Sequence, residues 1–284
     1  MSFAVFAVVI FAASLHATWN ALVKGSSDKH DGMLGVSVGR VPIALLVLPF
    51  LPVPNLASLP WLLGSVVLHL GYELFLIRAY RAGDLTLVYP IARGSAPIIV
   101  TVVSVAALGV TFSQMELASV ILIALGLSSL TLVRRADGGH NMGAVVMALV
   151  TGTFIASYSL VDGIGAREAA TALGYWSWVA IGNAALLYLW TAVVRPDVAP
   201  RIARDRRALV QGVFGGTVSY LAYALVVWAF TQAPIALVTA LRETSIVFAL
   251  LIGVGLMGER LNLLKVLSTM MTITGAVLLR FSRS

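Results

Sequence analysis

Residues 85–97 read LTLVYPIARGSAP and residues 235–247 read IALVTALRETSIV, and these two stretches decide the fold. Each places an arginine, Arg93 or Arg242, about eight residues inside a predicted helix that is otherwise largely apolar. A charge at the centre of a membrane-spanning helix costs at least about 2.5–3.5 kcal/mol, so it normally faces a partner or a water-filled cavity. The two stretches therefore predict membrane helices that meet around a shared polar interior.

The composition of the whole chain agrees with a membrane protein. Of its 284 residues, 60% are hydrophobic and 11% are charged, and the mean hydropathy is +0.97. Soluble domains are about 45–50% apolar and about 25% charged. Apolar stretches of about 20 residues, enough to cross roughly 30 Å of hydrocarbon, recur along the sequence. The first of them, Phe3–Val23, has no basic residue before it, which favours a retained span over a removable signal peptide.

The apolar stretches predict an all-α integral membrane protein with ten transmembrane helices. Turn signals support the breaks between them, namely PVPN at 52–55, RADGGHN at 135–141, DGIGARE at 162–168 and RPD at 195–197. The predicted helices are Phe3–Lys24, Met33–Leu51, Pro60–Ala82, Leu85–Leu108, Gln114–Arg134, Met142–Asp162, Thr171–Val194, Arg207–Thr231, Pro234–Met257 and Leu261–Phe281.

Short matches between the two halves predict an internal repeat. ALVKG at 21–25 resembles SLVDG at 159–163, HLGYEL at 69–74 resembles YLAYAL at 220–225, and the two opening stretches resemble each other. Each half contains an odd number of helices, so the second half enters the membrane with the opposite polarity, as in many secondary transporters. We expect residues 1–136 and 137–284 to form two inverted five-helix repeats around a central cavity, together one transport domain.

The basic residues predict the orientation in the membrane. The even-numbered connections and the termini carry only Arg167, Arg280 and Arg283. By the positive-inside rule the odd-numbered connections are cytoplasmic, which places both termini outside. The basic residues of those odd-numbered connections are Lys24, Lys29, Arg78, Arg81, Arg134, Arg135, Arg195, Arg201, Arg204, Arg206, Arg207, Arg260 and Lys265.

Arg93 and Arg242 lie at similar depths in their predicted helices, about 12 Å from the helix start at the helical rise. Opposite helix polarity would place both near the midplane, where repeat-built transporters bind their substrates. One interpretation is a pair of guanidinium groups that bind a substrate carboxylate. The other is that each neutralises a buried acid, such as Glu73 or Glu243, and holds the helices together.

Polar side chains on four further predicted helices extend the candidate site. His69, Tyr72 and Glu73 share one helix face at i, i+3 and i+4, as do His16, Trp19 and Asn20. Glu73 is a hypothetical proton carrier, although a salt bridge to arginine would oppose that role. The candidate substrate-binding residues are His16, Trp19, Asn20, His69, Tyr72, Glu73, Tyr89, Arg93, Tyr158, Tyr223, Arg242 and Glu243.

Other patterns narrow the class of function. The sequence has no cysteine and none of the common soluble-enzyme signatures, GxxxxGK[ST], HExxH or GxSxG, so we predict no enzyme, no cofactor and no metal site. The net charge of +7 belongs to short loops and not to a nucleic-acid-binding surface. Gly35 and Gly39 form a GxxxG pair, which is typical of close helix contact.

The sequence resembles the drug/metabolite transporter superfamily, and within it the ten-helix EamA-type members. The resemblance covers the whole chain, and two stretches look like the helix 4–5 and 9–10 hairpins of that family. They are LGVTFSQMELASVILIALGL from Leu108 and GERLNLLKVLSTMMTITGAVLL from Gly258, the first with Gly109-Val110 where the family has Glu-Arg. We assign Glu259 and Arg260 to capping and topology, since they stand at a helix–helix turn.

The resemblance implies export or exchange of small metabolites by alternating access, and its members include bacterial aromatic amino-acid exporters. We therefore expect a multi-pass protein of the bacterial inner membrane whose partners are the lipid bilayer and an amino acid or similar metabolite. Arginine suits a carboxylate, Glu73 or Glu243 suits an amine, and Tyr and Trp suit an apolar side chain. The alternatives are another organic anion, a lipid-linked sugar, and a membrane-embedded enzyme or scaffold.

Overall fold

The computed structural model describes residues 1–26, 28–82, 85–129, 142–255 and 263–282. Throughout these ranges the regular structure is helical, without a strand. The helices are α1 (Phe3–Gly25), α2 (Lys29–Gly39), α3 (Val41–Val47), α4 (Leu59–Ala82), α5 (Leu85–Ala106), α6 (Gln114–Ser129), α7 (Met142–Glu168), α8 (Ala172–Val194), α9 (Val198–Arg204), α10 (Arg206–Gln232), α11 (Ile235–Arg242), α12 (Ser245–Gly255) and α13 (Leu263–Phe281).

These helices confirm the predicted fold class of a multi-pass, all-α membrane protein. In the described part of the chain, nine helical stretches are long and apolar enough to cross a membrane, and Gln114–Ser129 is a shorter apolar helix. Large hydrophobic side chains cover the outside of the bundle, where lipid replaces water as the neighbour. Examples are Phe11, Leu46, Leu63, Val102, Leu189, Leu251 and Met270.

Two predicted spans are interrupted. The second is divided into α2 and α3 at Arg40, two residues before Pro42, which has no N–H to continue the hydrogen-bond ladder. The ninth is divided into α11 and α12 by a turn at Glu243 and Thr244. The Thr244 hydroxyl donates to the Leu241 carbonyl over 2.8 Å and thereby takes an acceptor from the helix.

Two other boundaries also differ from the prediction. DGIGARE is helical, so α7 continues to Glu168 and Asp162 lies inside it, not at its end. The glycines of this segment serve close packing: a Cβ on Gly163 would collide with the Ile235 side chain, and one on Gly165 would lie 2.6 Å from the Tyr175 ring. In addition, the seventh connection contains the short helix α9, which the sequence analysis did not predict.

Helix packing brings the first and second halves of the chain together. α1 packs along α10, α4 along α7, α6 along α13, and α5 against α7. Alanine is frequent at these contacts, and small residues let membrane helices approach closely. The buried alanines include Ala12, Ala92, Ala96, Ala156 and Ala236.

The closest helix contact joins α2 to α10 through two GxxxG pairs that face each other. A Cβ on Gly39 would overlap the carbonyl of Gly212, and a Cβ on Gly216 would overlap the backbone of Gly39. Gly35 lies opposite Gly212 in the same contact. A Cβ on Gly35 would lie 3.6 Å from the Gly212 Cα. At Gly39 and Gly216 the obstruction is backbone, which cannot rotate away, so these two positions accept only glycine.

We predict that Gly39→Leu destabilises the fold strongly, because overpacking a well-filled helix contact costs about 1–3 kcal/mol. Thermal unfolding in detergent, followed by loss of the monodisperse size-exclusion peak, measures this change. Gly255→Ala is the matched control, since a Cβ there meets open space. Equal melting temperatures for the two variants would contradict the close α2–α10 contact.

Candidate functional site

A buried polar cluster lies where α1, α5 and the interrupted ninth span meet. We call His16, Arg93, Arg242, Glu243 and Ser245 the central cluster. Arg93 is 3% exposed, Arg242 is 0% exposed and Glu243 is 1% exposed, so all three ionisable groups are removed from solvent. Buried charges in proteins are stable only when they are paired and hydrogen-bonded.

Arg93 is fully paired inside this cluster. Its Nε donates to Glu243 Oε2 over 2.7 Å, its Nη2 donates to Ser245 Oγ over 3.2 Å, and its Nη1 lies 2.9 Å from His16 Nε2. Its guanidinium carbon also lies 5.7 Å from the centre of the Tyr89 ring. Every nitrogen of Arg93 therefore has a partner within the protein, as the second interpretation of the arginines required.

Arg242 lies next to it and has no such partners. In the described part of the chain, none of its three guanidinium nitrogens has a hydrogen-bond partner. Its nearest acid is Glu243, whose Oε1 is 3.7 Å from Arg242 Nε and likewise accepts no hydrogen bond from the described residues. The guanidinium lies about equally far from the Tyr158 and Tyr223 rings, at 6.0 and 5.9 Å.

His16 links this cluster to the apolar part of α1. Trp19 Nε1 donates to His16 Nδ1 over 3.1 Å, while His16 Nε2 faces Arg93. A neutral imidazole accepts at one nitrogen and carries its proton on the other, so only one of these two donors can be accepted at a time. Asn20 does not enter the cluster, because its amide donates to the His16 carbonyl over 2.7 Å.

A second cluster surrounds Asp162, and we call Asp162, His69, Tyr175 and Tyr223 the aspartate cluster. His69 Nε2 lies 3.0 Å from Asp162 Oδ2, the Tyr223 hydroxyl donates to the same oxygen over 2.6 Å, and the Tyr175 hydroxyl donates to Oδ1 over 3.2 Å. The His69 ring stacks on Tyr158, which also contacts Tyr72. The two tyrosines Tyr158 and Tyr223 thus join this cluster to Arg242.

Glu73 belongs to a third cluster, away from His69. Ser37 Oγ donates to its Oε1 over 2.6 Å and Asn183 Nδ2 donates to its Oε2 over 3.0 Å. Arg40 Nη2 lies 3.6 Å from Glu73 Oε1, and Arg40 Nη1 donates to Asn183 Oδ1. Glu73 is thus paired with a cation and bound by two neutral donors, which is the arginine salt bridge that the sequence analysis named as the obstacle to a proton-carrier role.

A cavity of about 620 Å³ opens at the end of α1 and the starts of α2 and α10. Asp28, Asp31 and Arg201 lie at its polar rim. Burial would raise the pKa of Asp28, but the hydrogen bond that Arg195 donates outweighs it, and the pKa lies below its usual value. A depressed acid pKa stabilises the fold above the unfolded pKa, and this contribution is lost as the pH falls through the folded value.

An apolar layer of Trp19, Val23, Val36 and Val218 separates this cavity from the central cluster. Val23 and Val36 line the cavity, while Trp19 is hydrogen-bonded to His16. Along α1, the cavity therefore ends about two helical turns before His16 of the central cluster. In this conformation the described cavity lies at one end of the bundle and not around Arg93 and Arg242.

The structure places the predicted site residues in three groups. The first group lies in or beside the central cluster and consists of His16, Trp19, Tyr89, Arg93, Tyr158, Tyr223, Arg242 and Glu243. The second group, His69 and Tyr72, lies beside Asp162 and Tyr158. Glu73 lies apart from both. The sequence analysis missed Asp162, Tyr175, Asn183 and Ser245. Asp162 stands four residues after Tyr158, and that helical spacing was the available signal. In the described part of the chain no group of His, Asp and Glu could hold a metal ion.

The fold and these clusters define a multi-pass helical membrane protein with a buried, charged interior between its helices. Residues 142–281 match the family model described as "EamA-like transporter family", so an EamA-like domain is present in the second half of the chain. Members of this family are transporters and not enzymes, and the match suggests a membrane transporter of small molecules. The Gly258–Leu261 motif of the resemblance lies outside the described residues.

Comparison with solved structures supports the fold independently. A structure described as "Crystal structure of protein" superposes with a TM-score of 0.72 at 15% sequence identity, over 96% of this chain and 94% of that chain. At this identity the likeness concerns the fold alone. No curated protein matches the sequence.

We predict effects of very different size on stability for the two arginines. Arg93→Gln removes the hydrogen-bonded cation of Glu243 and leaves only Arg242, 3.7 Å away, and breaking a buried pair costs about 3–5 kcal/mol. Arg242→Gln removes a cation without hydrogen bonds while Glu243 keeps Arg93, so we expect a change within about 1 kcal/mol. Thermal unfolding of both variants in one detergent measures the difference. A larger loss of thermal stability for Arg242→Gln than for Arg93→Gln would contradict the assignment of Arg93 as the paired arginine and Arg242 as the one without hydrogen bonds.

Proposed function

We propose that the chain is a secondary transporter of amino acids that works by alternating access. The observation that carries this proposal is the pair of free hydrogen-bonding groups in the central cluster. Arg242 offers unpartnered donors and Glu243 Oε1 offers an unpartnered acceptor 3.7 Å away. A carboxylate fits the guanidinium in a bidentate arrangement, and an ammonium group fits the carboxylate oxygen.

The charges of the two clusters favour a substrate with no net charge. Arg93 and Arg242 together carry two positive charges, and Glu243 and Asp162 carry two negative charges in their ionised forms. A zwitterion leaves this balance unchanged, whereas an anion alone would add an uncompensated charge to a buried site. The Tyr158 and Tyr223 rings beside Arg242 suit an apolar side chain.

The interrupted ninth span supports a transport role. Discontinuous helices whose N-termini point at anionic groups are common at the substrate sites of transporters. Here α12 begins at Ser245, directly after Arg242 and the Glu243–Thr244 turn, so its positive dipole end lies beside the central cluster. The break also provides a place where the two parts of the span can move relative to each other.

Two inverted halves, residues 1–136 and 137–284, remain part of this proposal. The packing supports them, because α1 on α10 and α4 on α7 are equivalent contacts once the halves are exchanged. The EamA-like match to residues 142–281 covers almost all of the proposed second half.

Ligand-induced stabilisation tests the substrate. We expect L-leucine and L-phenylalanine to raise the melting temperature in detergent, because a ligand at 100 times its Kd stabilises by about 2.7 kcal/mol. The 2-oxo acid of leucine lacks the ammonium group and 3-methylbutylamine lacks the carboxylate, so both should stabilise far less. If the oxo acid stabilises the protein as much as leucine does, the ammonium group is not recognised, and the substrate is an organic anion and not an amino acid.

Flux into proteoliposomes tests the assignment of Arg242. Hydrogen bonds to a charged group contribute about 1.5–3 kcal/mol, so Arg242→Gln should reduce leucine counterflow at least about tenfold. Arg78→Gln is the matched control, because Arg78 is an exposed arginine at the end of α4. Unchanged flux in Arg242→Gln discards this residue as a substrate ligand.

The membrane location and orientation are part of the same proposal. We propose the bacterial inner membrane with both termini outside the cytoplasm, on the basis of the basic residues in the odd-numbered connections. Alkaline phosphatase fused after Ser284 should therefore be active, and green fluorescent protein at the same position should be dark. A fluorescent fusion together with an inactive phosphatase would invert the topology.

A further inference from the structure

Three of the buried acids in the described helices, Glu73, Glu243 and Asp162, differ in the kind of cation beside them. Glu73 forms an ion pair with Arg40, and Glu243 forms ion pairs with Arg93 and Arg242. All three arginines stay protonated at any physiological pH. Asp162 has His69, and in the described residues it has no arginine or lysine within ion-pair distance. Histidine is the side chain that changes its charge near neutral pH, so this pair alone among the three can change its net charge there.

The geometry defines which atoms hold the proton. The ionised Asp162 carboxylate only accepts, so the hydrogen at His69 Nε2 points to Asp162 Oδ2, 3.0 Å away. The tyrosine hydroxyls of Tyr223 and Tyr175 donate to the same carboxylate and support its ionised form. A second proton on the imidazole, at Nδ1, converts neutral His69 into a cation that the carboxylate neutralises.

The groups around His69 come from its own helix and from several neighbouring helices. Those on its own helix α4 are Tyr72 and Glu73, and Glu73 is neutralised by Arg40 of α2. Arg242 contacts the Tyr158 and Tyr223 rings, and both rings also contact His69. The facing groups on the other helices are Tyr158 and Asp162 on α7, Tyr175 and Trp176 on α8, Tyr223 on α10 and Arg242 on α11.

We propose that the His69–Asp162 pair is a proton-binding site and that a carboxylate bound to Arg242 increases its proton affinity. The positive charge of the free Arg242 guanidinium disfavours a second proton on His69, and the Tyr158 and Tyr223 rings lie next to both groups. A bound carboxylate neutralises that guanidinium and removes the repulsion. Binding free energies are reciprocal, so the substrate also binds more tightly when the pair is protonated, and substrate and proton cross together. This inference rests on the proposed function for the identity of the carboxylate.

Nuclear magnetic resonance of histidine-labelled protein in micelles tests the site without any substrate. The chain has four histidines, and His69→Gln and His69→Asn each identify the His69 signal by its loss. Arg242→Gln imitates neutralisation by a carboxylate. One unit charge about 10 Å away at an effective dielectric constant of about 20 shifts a titration by roughly one pH unit. We therefore expect the His69 midpoint to rise by about that amount in Arg242→Gln and to stay in place in Arg242→Lys.

Two further measurements separate this inference from the proposed function. Asp162→Asn should lower the His69 midpoint by more than one pH unit, because the compensating charge is removed. L-leucine should raise the midpoint in the unmodified protein. If Arg242→Gln raises the midpoint and L-leucine does not, the amino-acid assignment fails and the proton site stands. If His69 does not titrate, or if its titration midpoint is unchanged in Arg242→Gln, the proton site is overturned.

Discussion

The pairing of Arg93 with Glu243 is the constraint on which the interior of this protein depends. A guanidinium in hydrocarbon persists only beside an acid that is itself held in place, and here the acid comes from a residue 150 positions later in the chain. Because Glu243 lies in the turn that divides the ninth span, its backbone is not committed to a continuous helix. The salt bridge thus fixes α5 against the interrupted span and places Arg242, the residue directly before Glu243, in the same buried space. The unpartnered guanidinium is a consequence of that arrangement.

The sequence predicts the parts of the fold that follow from local chemistry. Apolar runs of membrane length give the spans, and a GxxxG pair such as Gly35 and Gly39 indicates close packing, because both depend on residue type and spacing alone. The partner of each buried charge depends on which helix faces which, and no local pattern encodes it. The break after Arg242 has no proline to mark it, although the Thr244 hydroxyl bonds back to the Leu241 carbonyl there. Asp162 was placed at a helix end because DGIGARE resembles a turn, whereas its glycines serve helix contact.

The two arginines also differ for a reason that the sequence contains. If Leu87-Val88 is aligned with Leu237-Val238, Arg93 corresponds to Glu243 and Arg242 corresponds to Ala92. Arg93 and Arg242 look equivalent when each is counted from the start of its predicted helix. The alignment of the two stretches shows instead that they differ in position by one residue. With the ungapped alignment, the salt bridge joins equivalent positions of the two proposed halves, and Arg242 is an addition without a counterpart. An additional charge at a pseudo-symmetric interface has no symmetric partner to neutralise it, which is why it is suited to a ligand.

Access to Arg242 in a transport cycle is restricted by the same contacts. The cavity ends at the layer of Trp19, Val23, Val36 and Val218, which belongs to α1, α2 and α10. Backbone contact at Gly39 and Gly216 holds α2 and α10 together, so these two helices cannot separate without losing their closest packing. Opening the layer therefore requires α1 to move against that pair. Since His16 on α1 faces Arg93, such a movement would alter the contacts of the central cluster as it admits water, and access would thereby be coupled to the state of the proposed binding site.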